Sequence, residues 1–319
     1  MNLKLSYDDE QLALQDSIDG FCRRAGTGPL FATDAPLPAT FWSGLASLGV
    51  LLLGTEAGGG GALEIAAAME TLGRHGAPGP LVGTFAATAL LADDEIERIG
   101  SGDALVSVGQ NRLFPWAPVA GLFVEVDGDE AWLIEPGGAV DAHHTTGNEP
   151  WGYLDPVRVR SLGDARAAMA RTQVAAAAYL VGAAQELIDL AAEYARDRVQ
   201  FNKPIATFQA VSHPLAVASV RLNASRILTR GAAQRLDSDE SGAHVAAAVA
   251  RLSAIGSAMA AGYQAHQLFG AMGFTLEGPV GHLSHRIRQV GLLPPNQNYS
   301  HELVLDDLLG PPLLERTAS

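Results

Sequence analysis

From Ala165 to Val290 the sequence is dominated by alanine-rich runs whose larger apolar residues recur at helical spacing, and this limits the possible folds more than any other feature. The runs are Ala165 to Arg198, Phe208 to Asp237, Ala243 to Phe269 and a shorter one from Val280 to Val290. They are broken at Asn202-Lys203-Pro204, at Asp237 to Gly242 and at Gly270 to Gly273, connections short enough for antiparallel neighbours. The spacing predicts an antiparallel four-helix bundle over 165–319.

Upstream, Leu12, Leu14, Ile18 and Phe21 predict a helix between Asp8 and Arg24, and similar periodicity marks Phe41 to Leu48 and Leu63 to Leu72. Between 104 and 164 the texture changes to short β-rich runs, Leu105 to Val108, Gly121 to Val126 and Ala131 to Ile134, separated by Asp, Gly and Pro. The expected fold class is mainly α: an N-terminal helical domain (1–103), an abbreviated small β domain (104–164) and the C-terminal bundle. No repeat of solenoid period is present.

With 319 residues, 48% of them hydrophobic and 18% charged, the chain can bury a large core. A formal net charge of -14 argues against a nucleic-acid partner, since phosphate binding needs clustered Lys and Arg. The single Cys22 cannot form an internal disulfide. Met1-Asn2-Leu3-Lys4 leads directly into acidic Asp8-Asp9-Glu10 with no signal-like core, and no apolar run looks long enough to span a bilayer. These features predict a soluble, cytoplasmic protein without a membrane partner.

Two segments carry chemistry. In Tyr194 to Gln209, helical numbering puts Leu187, Ala191, Tyr194 and Arg198 on one face, so Arg198 is expected to continue an apolar stripe where the chain leaves the helix. A guanidinium held there can fork two hydrogen bonds onto a carboxylate or diphosphate, and Thr207-Phe208-Gln209 opens the next helix with free backbone donors. The bland alternative is an interhelical ion pair. In Gln264 to Glu277, Gly270 and Gly273 could simply cap a helix. Gln267 before them and Phe274-Thr275 after them also allow a ligand to approach bare backbone at Gly270.

The run Tyr-x-x-x-Arg-x-Gln-Phe-x-x-Pro-Ile-x-x-Phe-Gln, followed by Gln-x-x-Gly-x-x-Gly-Phe-Thr-x-Glu, resembles the C-terminal domain of acyl-CoA dehydrogenases. Asp8 to Gln11, Leu48-Gly49-Val50 and Glu56 to Gly61 resemble that family's N-terminal helices. The resemblance implies flavin adenine dinucleotide (FAD) held mainly by a neighbouring subunit. Arg198 would contact its diphosphate, Phe208 and Gln209 would line the same groove, and Gln267, Leu268, Phe269, Gly270 and Ala271 would meet its adenosine part. Ala271 stands where the family usually has glycine, which narrows backbone approach by a methyl.

What the family has and this chain lacks is equally informative. Its chemistry needs a carboxylate base opposite the flavin. Counting by the family's spacing lands on Pro294 or Asn298, and the family's alternative position falls near Thr172 and Gln173, all uncharged. The β-domain segments that grip the flavin ring are also missing, the region reading Ser107 to Ala117 instead. A chain that keeps the donated half of the site and loses the receiving half resembles the short (β) subunits of actinobacterial α2β2 acyl-CoA dehydrogenases acting on steroid CoA thioesters. That implies no catalytic residue in this chain, a longer homologous partner carrying the catalytic Glu, an acyl-CoA substrate, and an electron-transfer flavoprotein as acceptor. The alternatives are a flavin-free scaffold subunit and a self-sufficient homomeric enzyme with an unusual base such as Glu302.

Other chemistries find less support. Val50 to Leu53 before Gly58 to Gly61 mimics a dinucleotide-binding loop, but no G-x-G-x-x-G register fits and a flexible surface loop is expected. His282, His285 and His301, and the trio Asp141, His143 and His144, lack the carboxylate partners of bundle metal sites and read as solvated or capping histidines, with no metal bound. No G-x-S-x-G occurs, and Cys22 has no evident base. Glu302, Asp306 and Asp307 read as the polar face of a C-terminal helix.

Overall fold

A computed structural model describes residues 6–26, 37–275 and 277–310. The Met1–Lys4 stretch and Leu276 of the second motif lie outside them. The chain opens with helices α1 (Asp9–Ala25), α2 (Ala39–Ser47), α3 (Ala62–Arg74), α4 (Leu81–Ala87) and α5 (Asp93–Gly100). Asp8 starts α1 through a reciprocal capping box with Gln11. The α3 N-terminus, after the glycine loop, is capped by a carboxylate from elsewhere: Asp237 accepts from Ala62 N at 2.6 Å and from Leu63 N at 3.0 Å. That carboxylate already occupies the anion-seeking helix end. Val50 to Leu52 form a short 3-10 turn with Val50 and Leu51 fully buried. In place of the expected flexible loop, apolar side chains anchor the segment before the glycines, and the glycines themselves are tied back, Gly54 N donating to Gly59 O at 2.9 Å and Gly59 N to Thr55 O at 2.8 Å.

The middle of the chain holds β1 (Val106–Gly109), β2 (Leu113–Pro115), β3 (Leu122–Asp127), β4 (Glu130–Pro136), β5 (Asp141–His144), β6 (Pro150–Tyr153) and β7 (Pro156–Asp164). They form a four-stranded sheet in the order β1-β3-β4-β7 and a three-stranded sheet in the order β2-β6-β5. Only the β1–β3 pairing is parallel among these strands.

The bundle follows with α6 (Arg166–Asp197), α7 (Gln209–Asp237), α8 (Ala243–Phe269), α9 (Pro279–Leu292) and α10 (Gln297–Leu309). A hairpin of β8 (Val199–Gln200) and β9 (Lys203–Pro204) joins α6 to α7. Over much of its first two thirds α6 is buried nearly all round, as a central core helix must be. The architecture is mainly α, as expected, with the small sheets between the N-terminal helices and the bundle in chain order. Contrary to expectation, α6 and α8 are each long and apolar enough to cross a membrane, because alanine raises hydropathy without forming an obvious apolar block. In α6, 78% of the most apolar window is buried inside the chain, against 50% in α8, so part of α8 remains uncovered.

Helices α3 and α6 cross at glycines. A methyl added to Gly182 would collide with the Glu70 carbonyl, and one added to Gly73 with the Tyr179 carbonyl. Backbone cannot yield as a side-chain tip can, so Gly182→Ala is expected to destabilise the chain by about 1–3 kcal/mol or more. Urea unfolding checks this; an unchanged midpoint would show that the crossing tolerates separation.

Candidate functional site

Helix α6 ends at Asp197, and Arg198 leaves it with extended backbone (φ -74, ψ 113). Its amide donates to Tyr194 O at 2.9 Å, and its carbonyl accepts from Ile205 N at 2.9 Å, so the backbone is held on both sides. The side chain is exposed and makes no ion pair or hydrogen bond among the described residues. This corrects the expectation that Arg198 sits packed on the stripe of Leu187, Ala191 and Tyr194. Helical numbering runs one residue too far, because the chain turns into the hairpin at Arg198. The alternative of an internal ion pair fails for the same reason.

The hairpin turn has Phe201 at φ 51 and Asn202 at φ 62, the double left-handed geometry of a tight two-residue connection. Asparagine tolerates that backbone; phenylalanine rarely adopts it. Phe201 is 87% exposed and meets the half-buried Phe208 edge-on, while Lys203 Nζ lies 4.3 Å from the Phe208 ring centre. Phe208 precedes α7, whose N-terminus carries no side-chain cap, and Gln209 is exposed in its first turn. Unpaired cations beside an uncapped helix start attract anions.

The second motif comes to the same end of the bundle. Phe269, the last residue of α8, stacks on Tyr194 with ring centres 4.5 Å apart and planes 23° apart. Gly270 follows at φ 57, ψ -132, a conformation suited to glycine, and starts a 3-10 turn through Phe274. Gln267, Gly270 and Ala271 are exposed, and Leu268 and Phe269 are half-buried. The structure therefore places all eight sequence-selected residues in two neighbouring segments, joined by the stack of Phe269 on Tyr194, the first residue of the first motif.

The positions where a base would be expected lie elsewhere. Thr172 and Pro294 line one small cavity of about 30 Å³ between β1, α6 and the end of α9. Gln173 accepts from Ser300 Oγ at 2.9 Å, and the Leu293 carbonyl accepts from buried Arg251, which hold the turn carrying Pro294. The carboxylate in this cavity is Glu149, ion-paired to Arg286 with both side chains buried. Burial pushes the Glu149 carboxyl above the usual range, and the Arg286 guanidinium and Trp151 N–H pull it the other way. The two residues are 137 apart in sequence, and no local signal could have paired them. Glu302, Asp306 and Asp307 are exposed on α10.

The histidines need revision. His282 is not solvated: burial, with Arg286 and His285 nearby, pushes its imidazole down to about 4. His266 bonds Ser284 Oγ at 2.9 Å and His143 bonds Asp141 at 3.2 Å; the His144 side chain lies outside the described set. The unfolded chain protonates His282 near 6.5 and the folded chain only near 4, so its contribution to stability is intact above 6.5 and lost as pH falls through this window. A loss of about 3 kcal/mol between these limits is expected. Unfolding free energy measured against pH checks it, and His282→Asn should flatten the slope; an unchanged slope contradicts the assignment.

Residues 162–292 match the family model described as acyl-CoA dehydrogenase, C-terminal domain. The 3-(aryl)acrylate reductase of Clostridium sporogenes is 29% identical over 50% of this chain and 39% of its own length. Acyl-CoA dehydrogenase IpdE2 of Mycolicibacterium smegmatis is 28% identical over 71% of this chain and 73% of its own. The chain thus spans well under half of the first relative and nearly three quarters of the second. Among solved structures, a variant of the steroid ACAD Tcur3481-Tcur3483 matches with a TM-score of 0.79 at 22% identity, over 98% of this chain and 99% of that one. The ChsE4-ChsE5 complex from Mycobacterium tuberculosis matches equally well, 0.79 at 21% identity, over 98% and 100%. At these identities the likeness is one of fold.

Proposed function

We propose, from the premise that the chain belongs to the acyl-CoA dehydrogenase family, that it is the noncatalytic short subunit of a heteromeric FAD-dependent acyl-CoA dehydrogenase. The observation that carries this is an asymmetry within one chain. The end of the bundle offers an unpaired Arg198, an uncapped α7 and bare backbone at Gly270, which suit the diphosphate and adenosine of FAD. The chain's own base positions, Pro294 and Thr172, are instead uncharged, and the carboxylate that shares their cavity, Glu149, is ion-paired to Arg286. The donated half of a cofactor site fits these residues, and the ring-holding half does not.

FAD bound in such a complex would supply a hydride acceptor for the β-carbon of the acyl thioester, and a carboxylate of the longer subunit would take the α-proton. This chain's part is to neutralise phosphate charge through Arg198 and to shield the adenosine end through Gln267 to Ala271. Phe208 and Gln209 line the groove between. An electron-transfer flavoprotein is the proposed acceptor, and a steroid-derived CoA thioester the proposed substrate, as the steroid ACAD relatives suggest. Exposed Val217, Val220, Ile227 and Leu228 on α7, with the half-covered apolar window of α8, supply an apolar face for a subunit partner. Glu149 is committed to Arg286 and Glu302 faces solvent, which speaks against a self-sufficient enzyme.

The test is turnover. The chain co-purified with a longer homologous subunit should oxidise acyl-CoA thioesters, including steroid-derived ones, while the chain alone is inactive. Turnover by the chain alone would overturn the proposal, and an active complex unaffected by omitting this chain would reduce it to a scaffold.

A further inference from the structure

Away from the cofactor segments, a hollow of about 780 Å³ lies among the N-terminal helices, between the loop that follows the Val50–Leu52 turn and helix α5. Its volume is that of a small-molecule cleft, about 300–1,000 Å³. It shares no lining residue with the cavity that holds Thr172 and Pro294, and none with Arg198 to Gln209 or Gln267 to Ala271. Leu52, Ala57 and Ile96 give it apolar walls, and Glu56, Asp93 and Glu97 stand around it. All three carboxylates are exposed and without an ion pair among the described residues, and no Lys, Arg or His from that set lines the hollow.

Thr88 makes the hollow more than an acidic patch. It closes α4, is 4% exposed, and its Oγ1 is buried without a hydrogen-bond partner among the described residues. The other buried threonines of the N-terminal helices satisfy themselves: Thr71 donates to Ala67 O at 3.2 Å and Thr84 to Pro80 O at 3.0 Å, each one helical turn back. Thr88 has the Thr84 carbonyl at the same offset, and its own N–H donates there at 2.9 Å, but its hydroxyl does not. A buried hydroxyl left unpaired is costly unless something else meets it, and this one lines the hollow. Asp93 lies in the first turn of α5, where the helix dipole favours a carboxylate in any case. Glu56 and Glu97 have no such reason, and Glu95, between Asp93 and Glu97, is already paired with Arg160 at 2.7 Å.

Charge and spacing together select the ligand class. Three uncompensated carboxylates attract positive charge. Among the described residues no three Asp, Glu, His or Cys side chains come close enough to hold a metal ion, so these carboxylates do not converge on a single point charge. Apolar walls suit methylenes, and the Thr88 hydroxyl can accept from an ammonium N–H. We propose that this hollow binds a linear polyamine, ammonium groups joined by short methylene chains, independently of the shared-cofactor reading.

The probe is spermidine, titrated into the full-length chain by isothermal titration calorimetry at low ionic strength, with Mg²⁺ and hexylammonium run alongside. One spermidine per chain is expected, bound more tightly than either control and weakened about tenfold when Glu56→Gln is combined with Glu97→Gln. Thr88→Val should weaken it several-fold. That replacement keeps the side-chain shape and removes only the unpaired hydroxyl, so the chain should unfold in urea no earlier than before. Glu302→Gln with Asp306→Asn, both exposed on α10, makes the same change in net charge away from the hollow and should leave binding unchanged. Equal weakening by the two double variants, or equal binding of Mg²⁺, would overturn the proposal in favour of diffuse screening of the net charge of -14. Equal binding of hexylammonium, undiminished binding by Thr88→Val, or heats that do not saturate would overturn it as well.

Discussion

Replacing Arg198 with alanine is expected to weaken FAD binding by the assembled complex tenfold to a hundredfold while leaving the unfolding of this chain unchanged. The first half follows from the chemistry. A hydrogen bond to a charged group contributes about 1.5–3 kcal/mol, and each 1.4 kcal/mol is roughly tenfold in affinity. The second half follows from the structure, in which the exposed guanidinium has no partner inside the chain and its removal leaves no buried group unsatisfied. Arg198→Lys should recover only part of the affinity, since an ammonium keeps the charge but loses the planar fork. Flavin retention measured by equilibrium dialysis, beside urea unfolding of the isolated chain, checks both. Equal loss of stability and of flavin would assign Arg198 a structural role instead.

The largest stability effect is expected at the other end of α6. Glu149→Gln removes the counter-ion of a buried guanidinium, and breaking such a pair costs about 3–5 kcal/mol because the remaining charge stays in a low-dielectric site. The double replacement Glu149→Leu with Arg286→Met should recover most of that loss, since apolar residues of similar volume need no counter-ion there. The pair joins the segment before β6 to α9, so its loss loosens the contact between the strands and the bundle. Urea unfolding of the single and double variants decides the matter. A double variant no more stable than the single would place the cost in packing rather than in the unpaired charge.

How much of this was legible in the sequence depends on whether the signal is local. The bundle helices were legible because alanines and larger apolar residues repeat along each run, and α8 was placed residue for residue from Ala243 to Phe269. The short helices α4 and α5, of 7 and 8 residues, give too few turns for periodicity to show, while β7 alternates at Val157-Arg158-Val159-Arg160 although most of the strand is exposed. Both motifs could be read as segments, but not the stack of Tyr194 on Phe269 that joins them, which is a contact across the bundle. Arg198 is not packed as the stripe predicts, because a stripe computed from 3.6 residues per turn does not register where the helix stops. Glu149 and Arg286 were invisible for the same reason at greater range: each alone reads as an ordinary surface charge. That the counted base positions are uncharged could, by contrast, be read from residue identity at Pro294 and Thr172, and the two line one cavity.

The central claim is that this chain completes a cofactor site it cannot form alone, and the flavin absorbance of purified protein tests it most directly. The account predicts no flavin bands from the chain by itself and about one FAD per heterodimer when it is purified with a longer homologous subunit. Flavin bound stoichiometrically by the isolated chain, or a flavin-free complex, would contradict it.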